Sequence, residues 1–119
     1  MLKFNRLVKS FKNAFRGFAF LLRSEQNFKI HILLTFVVLF FGVFFRIKLW
    51  QWSLIVLMIA GVLILEMLNT VFEKLVDLYK PRLHDYVKDV KDIMSAIVLV
   101  ASVASVVIAL FIFVPYLLE

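Results

Sequence analysis

Three long apolar runs alternate with polar stretches along the chain. They are Ile30–Phe45 (IHILLTFVVLFFGVFF), Leu49–Leu65 (LWQWSLIVLMIAGVLIL) and Ile93–Leu118 (IMSAIVLVASVASVVIALFIFVPYLL), and none contains Asp, Glu, Lys or Arg. A helix that crosses a bilayer needs about 20 apolar residues, with a working range of about 17–25. The first run is slightly short, but Lys29 and Arg46 flank it. Their long stems can lie in hydrocarbon while the charged ends reach the headgroups. A buried helix of a soluble core is the alternative for the first two runs. Three such runs in a chain of 119 residues favour the bilayer. Ahead of them Phe4, Leu7, Phe11, Phe15, Phe18 and Leu22 recur every three or four residues among basic side chains. That stripe predicts an amphipathic helix lying in the membrane interface.

The pattern therefore predicts an all-α membrane protein of one domain, residues 1–119. A surface helix covers 1–28 and transmembrane helices cover 29–47, 49–72 and 92–118, the second extending beyond the membrane to about residue 80. Composition agrees: 64% of residues are apolar, against about 45–50% in soluble domains. No cysteine is present, which excludes disulfides and thiolate metal sites.

Charge sets the orientation. Lys3, Arg6, Lys9, Lys12, Arg16, Arg23 and Lys29 crowd the N-terminus, where Glu25 is the one acid. The second connection carries Lys74, Lys80, Arg82, Lys88 and Lys91, whereas the first has only Arg46 and Lys48. Basic residues collect on the cytoplasmic side of membrane proteins. The N-terminus and second connection are thus expected in the cytoplasm and the C-terminus outside, with Trp50 and Trp52 as anchors at the outer interface. The first run starts too late, and is too long, for the core of a cleaved signal peptide. Beside so much apolar sequence the basic cluster points to a membrane surface rather than to nucleic acid.

The polar chemistry lies where the second run ends, in LILEMLNTVFEKLVDLYKP, Leu63 to Pro81. On one continuous helix Glu66, Glu73 and Asp77 fall within roughly 40° of arc, with Asn69 about 60° from Glu66. This stripe rises about 16 Å along the axis. A solvated helix end would account for Asp77. It accounts less well for Glu66, which directly follows the apolar run, because a carboxylate at membrane depth is costly. Like charges on one face also repel unless a cation lies among them. Carboxylates with an amide suit a hard divalent ion such as Mg²⁺, which typically takes one or two carboxylates plus phosphate oxygens. A carboxylate at this depth can also take a proton from a hydroxyl.

Across the connection YVKDVKDIMSA places Lys88, Asp92 and Ser95 on one helical face, with Lys91 beside them. Lys91 can neutralise phosphate charge or simply anchor the helix. His31, inside the first span, reads as a hydrogen-bonded packing histidine. There are only three glycines and no glycine-rich phosphate loop, G-x-S-x-G or HExxH motif. The residues alone thus describe a site of acids, an amide and a lysine at a membrane interface. Such a site suits a divalent ion with a phosphorylated ligand, or an ion or proton pathway in a small channel or partner subunit. A pathway should carry polar residues through the span centres, and the centre of the second run is almost wholly apolar.

EMLNTVFEKLVD followed by KPRLHDYVKDVKDIMSAIVLVA closely resembles the small bacterial integral-membrane lipid kinases, the diacylglycerol kinase and undecaprenol kinase family. The spacing E-x-x-N-x-x-x-E-x-x-x-D, then a histidine, then a Lys-Asp pair entering the last span, carries the likeness. RSEQNFKIH fits the segment before the first span, and the resemblance runs from about Arg6 to Pro115. It implies a homotrimeric helical bundle in the bacterial plasma membrane. It also implies composite active sites between protomers and transfer of the ATP γ-phosphoryl group to a lipid hydroxyl with Mg²⁺. By the same resemblance Glu66 is the catalytic base and Glu25 and Glu73 hold the metal. Asn69, Asp77, Lys91 and Asp92 bind nucleotide, as do Glu25 and Glu73 through the metal, with Arg6, Arg82, Leu83 and His84 near ATP. Arg6, Arg16, Gly17, Glu66 and Ser95 lie by the lipid. EQNFKIH and the LNT after Glu66 look more like the undecaprenol kinase branch, with diacylglycerol as the alternative substrate.

Overall fold

The structure is a computed structural model, and it describes residues 3–79 and 84–119, without the side chain of His84. Four helices account for nearly all of them: α1 (Phe4–Ser24), α2 (Gln26–Phe44), α3 (Leu49–Asp77) and α4 (His84–Leu118). Three helices, α2, α3 and α4 from Asp85 onward, are long and apolar enough to cross a membrane. Their apolar side chains mostly face outward. Leu33, Phe36, Phe40, Leu57, Leu99, Val100 and Phe111 are all exposed. In water that surface would be untenable, whereas in hydrocarbon it is the ordinary lipid-facing side of a helix.

The pattern alone puts the change from first to second helix at residues 28–29, and the backbone breaks earlier, at Glu25. Its extended conformation (φ −112°, ψ 111°) closes α1 through a bond from its N–H to Leu21 O and opens α2. No glycine or proline marks the break. Packing holds it instead: Leu21 and Phe28 on either side are buried, and the Phe18 and Phe28 rings meet edge to face at 5.2 Å.

The turn between α2 and α3 follows a known C-terminal capping geometry. Arg46 takes a left-handed conformation (φ 52°). Its N–H donates to Val43 O, and the Ile47 N–H donates to Gly42 O. These are the two bonds of a Schellman motif, which satisfy carbonyls left free at a helix end. The first N–H groups of α3 are met in turn. Gln51 Oε1 accepts from the Lys48 N–H at 2.9 Å and from the Tyr116 hydroxyl at 2.6 Å, tying the end of α4 to the start of α3. Around this knot Ile47, Ile55 and Ile112 form the buried core, enclosed by Phe45, Trp52, Phe113 and Tyr116. Trp50 is exposed, as an interfacial anchor would be, whereas Trp52 packs against Gly42.

The length of α3 matters most for the site. Its 29 residues span about 43 Å at 1.5 Å each, against about 30 Å for the hydrocarbon core of a bilayer. One unbroken rod therefore carries both the apolar span and the acidic stripe, which projects past it.

A Cβ on Gly42 would lie 2.5 Å from Trp52 Cη2. We expect Gly42→Ala to lower stability by about 1–3 kcal/mol, the usual cost of overpacking. Thermal unfolding in detergent micelles, followed by helical circular dichroism, measures it.

Candidate active site

Glu66 sits where α3 passes from its apolar to its polar part and is only 3% exposed. Thr70, one turn on, is also buried, and its hydroxyl donates to Glu66 O at 3.3 Å. The turn is thereby closed on itself and Thr70 does not reach the carboxylate. Glu66 Oε2 is buried without a hydrogen-bond partner, and so is Asn69 Oδ1. His31, from α2, approaches with Nε2 at 3.4 Å from Glu66 Oε2.

Other acids gather around this point. Glu25, at the α1–α2 break, and Glu73, two turns along α3, lie close enough for their charges to act on Glu66. The Glu25 side chain makes no capping bond at the start of α2, so its carboxylate is not committed to the helix it precedes. Farther along α3, Asp77 Oδ1 pairs with Lys91 Nζ of α4 at 2.6 Å. Lys74 lies over the Phe20 ring of α1, 5.0 Å from its centroid, a cation–π contact that joins α1 to the same end of α3. The structure thus sets His31, Glu25 and Glu73 within electrostatic reach of Glu66, with Asn69 one turn on, and pairs Asp77 with Lys91 farther along α3.

The remaining expected site residues are dispersed. Arg6, Arg16 and Gly17 are exposed on α1, and Asp92 and Ser95 are exposed on α4. Among the described residues, no hydrogen bond or ion pair joins them to the Glu66 group. Arg82 and Leu83 lie outside the described residues, as does the side chain of His84. His31, expected as a hydrogen-bonded packing histidine, lies beside the Glu66 carboxylate. The available signal was an ionisable group alone in an apolar span, and such groups mark functional sites by default.

Among the described residues no three His, Asp or Glu side chains are grouped so as to hold a metal ion by themselves. Mg²⁺ does not require such a group. This ion dehydrates reluctantly and is bound by one or two carboxylates with substrate phosphates, not by an all-protein cage. Glu25 and Glu73 are carboxylates on separate elements whose charges both act on Glu66, a donor set that fits.

Comparison with known proteins identifies the group to which these residues belong. The prokaryotic diacylglycerol kinase family matches residues 12–113. The chain is a member of that family. An undecaprenol kinase of Bacillus subtilis is 39% identical over 113 residues, covering 95% of this chain and 92% of that protein. A diacylglycerol kinase of Synechocystis is 30% identical over 114 residues, 95% of this chain and 65% of that protein. No solved structure matches the chain significantly. The protein is accordingly a lipid kinase embedded in the membrane, with ATP as phosphoryl donor.

The Asp77–Lys91 pair offers a test of the nucleotide-binding role that the resemblance implies for these residues in this prokaryotic diacylglycerol kinase family member. Half of the Asp77 side chain is exposed, and exposed pairs contribute at most about 1 kcal/mol. Asp77→Asn should leave thermal stability within about 1 kcal/mol of the parent while raising KM for ATP. Parallel melting curves and ATP titrations of lipid phosphorylation check both halves.

Proposed function

We propose that this kinase phosphorylates undecaprenol at the cytoplasmic face of the bacterial plasma membrane, with Glu66 as general base. The observation that carries the base assignment is the buried Glu66 carboxylate at the end of an apolar helix, with Oε2 lacking a hydrogen-bond partner. A lipid alcohol floats with its hydroxyl near this depth and its chain in the bilayer, so it needs no aqueous entrance. Glu66 takes the hydroxyl proton. The alcohol oxygen bonds to the γ-phosphorus as the bond to the bridging oxygen breaks, and ADP leaves.

Phosphoryl transfer depends on positioning and charge stabilisation more than on covalent chemistry. Glu25 and Glu73 would hold Mg²⁺, which when bound neutralises charge on the β- and γ-phosphate oxygens. Asn69, Asp77, Lys91 and Asp92 orient the nucleotide, with Arg6 and residues 82–84 near it. Lys91 supplies positive charge and Asp77 fixes its ammonium group. Arg6, Arg16, Gly17 and Ser95 contact the lipid. Their separation from the Glu66 group within one chain supports a homotrimer in which neighbouring protomers complete each site. The exposed aromatic stripe Phe4, Phe11 and Phe15 supports α1 as an amphipathic helix in the cytoplasmic interface. The distribution of Lys and Arg supports an external C-terminus.

Undecaprenol is preferred to diacylglycerol because the Bacillus subtilis undecaprenol kinase is the more similar relative and matches along nearly its whole length. Side-by-side initial rates in mixed micelles should favour undecaprenol; a faster rate with diacylglycerol would reverse the assignment. Glu66→Gln should lower kcat by about 10²–10⁴-fold, the usual contribution of a general base, while nucleotide binding persists. Turnover near that of the parent would remove Glu66 from the role.

A further inference from the structure

We propose that His31 is a positioning residue for Glu66, its imidazole N–H holding Oε2 so that Oε1 faces the lipid hydroxyl. The inference rests on the reading of Glu66 as the base. Its evidence is geometric. The Glu66 side chain is 4% exposed, its Oε2 has no hydrogen-bond partner, and His31 Nε2 stands 3.4 Å away. A buried carboxylate oxygen without a donor is costly. The approach of a ring nitrogen to such an oxygen calls for only a small side-chain rotation to become a hydrogen bond.

Three neighbouring groups do not take this task. The Thr70 hydroxyl is directed to the Glu66 backbone carbonyl. Glu25 and Glu73, the other charged groups acting on Glu66, are acids and cannot donate when ionised. The Thr35 hydroxyl one turn on donates to the His31 backbone carbonyl at 2.8 Å and so does not engage the ring. The ring is carried by α2, and a site built on a helix is held more precisely than one on a loop.

His31 has a second exposure. It lines a cavity of about 190 Å³ between α2, α3 and α4, whose other walls include Leu34, Val38, Met58 and Val62. Residues Val62 and Met58 lie one and two turns deeper along α3 than Glu66. His31 thus stands between the base and an apolar space on the bilayer side. A purely spatial role, shaping that space, would act on lipid affinity. A positioning role acts on the chemical step, because a small misplacement of a catalytic group costs turnover rather than binding.

Two amides separate these roles. In His31→Gln the side-chain amide reaches about as far as Nε2. In His31→Asn it stops short by one methylene with the same chemistry. We expect His31→Asn to lower kcat about 10–100-fold, with KM for ATP and for lipid within about twofold, and His31→Gln to recover most of the loss. In the Glu66→Gln background the Asn substitution should cost nothing further, because residues acting as a unit are not additive. Equal turnover in the two amide variants, a loss confined to lipid KM, or an undiminished loss in the Glu66→Gln background would overturn the proposal. An active Glu66→Gln enzyme would instead overturn the base assignment on which it stands. Circular dichroism and elution volume in detergent confirm that each variant is folded, and should His31→Asn not fold, His31→Gln with less than a tenth of parental kcat overturns the proposal.

Discussion

A carboxylate placed among apolar helices must be matched by donors or by a cation, and at Glu66 the match within the chain is incomplete. Water cannot easily supply it, since the side chain is almost fully buried. The Thr70 hydroxyl is taken by the backbone, and the nearest other charges are negative. The polar organisation of this end of the protein follows from that deficit. An unbroken α3 fixes the depth of the acid. The break at Glu25 brings a second carboxylate beside it from a different element. His31 stands 3.4 Å away as a group able to donate. A site built this way is completed by its ligands. On the proposed reading those are a divalent ion, phosphate oxygens and a lipid hydroxyl, and each corrects part of the imbalance.

The two ends of the bundle are built on opposite principles. Where α2 turns into α3, a Schellman motif closes α2, and Gln51 serves both Lys48 and Tyr116. The buried isoleucines and most ring-to-ring contacts cluster there. At the opposite end buried oxygens lack donors and the contacts are longer or more exposed. Satisfied hydrogen bonds and dense packing make structure rigid, whereas unsatisfied groups keep a site responsive to what binds. The far end holds the helices in register, so that the functional end need not hold itself.

Much of this was legible in the sequence because hydrophobicity and helical spacing are local signals. Charge-free runs mark the three long apolar helices, and a rotation of 100° per residue puts Glu66, Glu73 and Asp77 on one face. Other features depend on contacts between distant residues and left no local trace. The helix breaks at Glu25 through packing of Leu21, Phe18 and Phe28, without glycine or proline. Arg46 occupies a left-handed position that ordinarily favours glycine, which a search for glycine turns passes over. Trp52 could be read only as an interfacial tryptophan until Gly42 was seen beneath it. The role of His31 depends on the pairing of α2 with α3, and in the sequence it was one polar residue in an apolar run.

The lack of a glycine-rich phosphate loop follows from the same geometry. Such a loop gathers backbone N–H groups around phosphate and suits a soluble fold in which strand and helix meet at a turn. In hydrocarbon the backbone must stay helical, because N–H groups diverted from the helix would lack partners. On the proposed reading phosphate is met by side chains on helix surfaces, and phosphate and carboxylate repel unless cations lie between them. The Asp77–Lys91 pair supplies one cation on a rigid base, held across the gap between α3 and α4. Carboxylates from Glu25 and Glu73 would supply the rest indirectly through a divalent ion. On the proposed reading the acidic stripe, carried past the hydrocarbon on an unbroken helix, meets phosphate with side chains and a divalent ion in place of a backbone cradle.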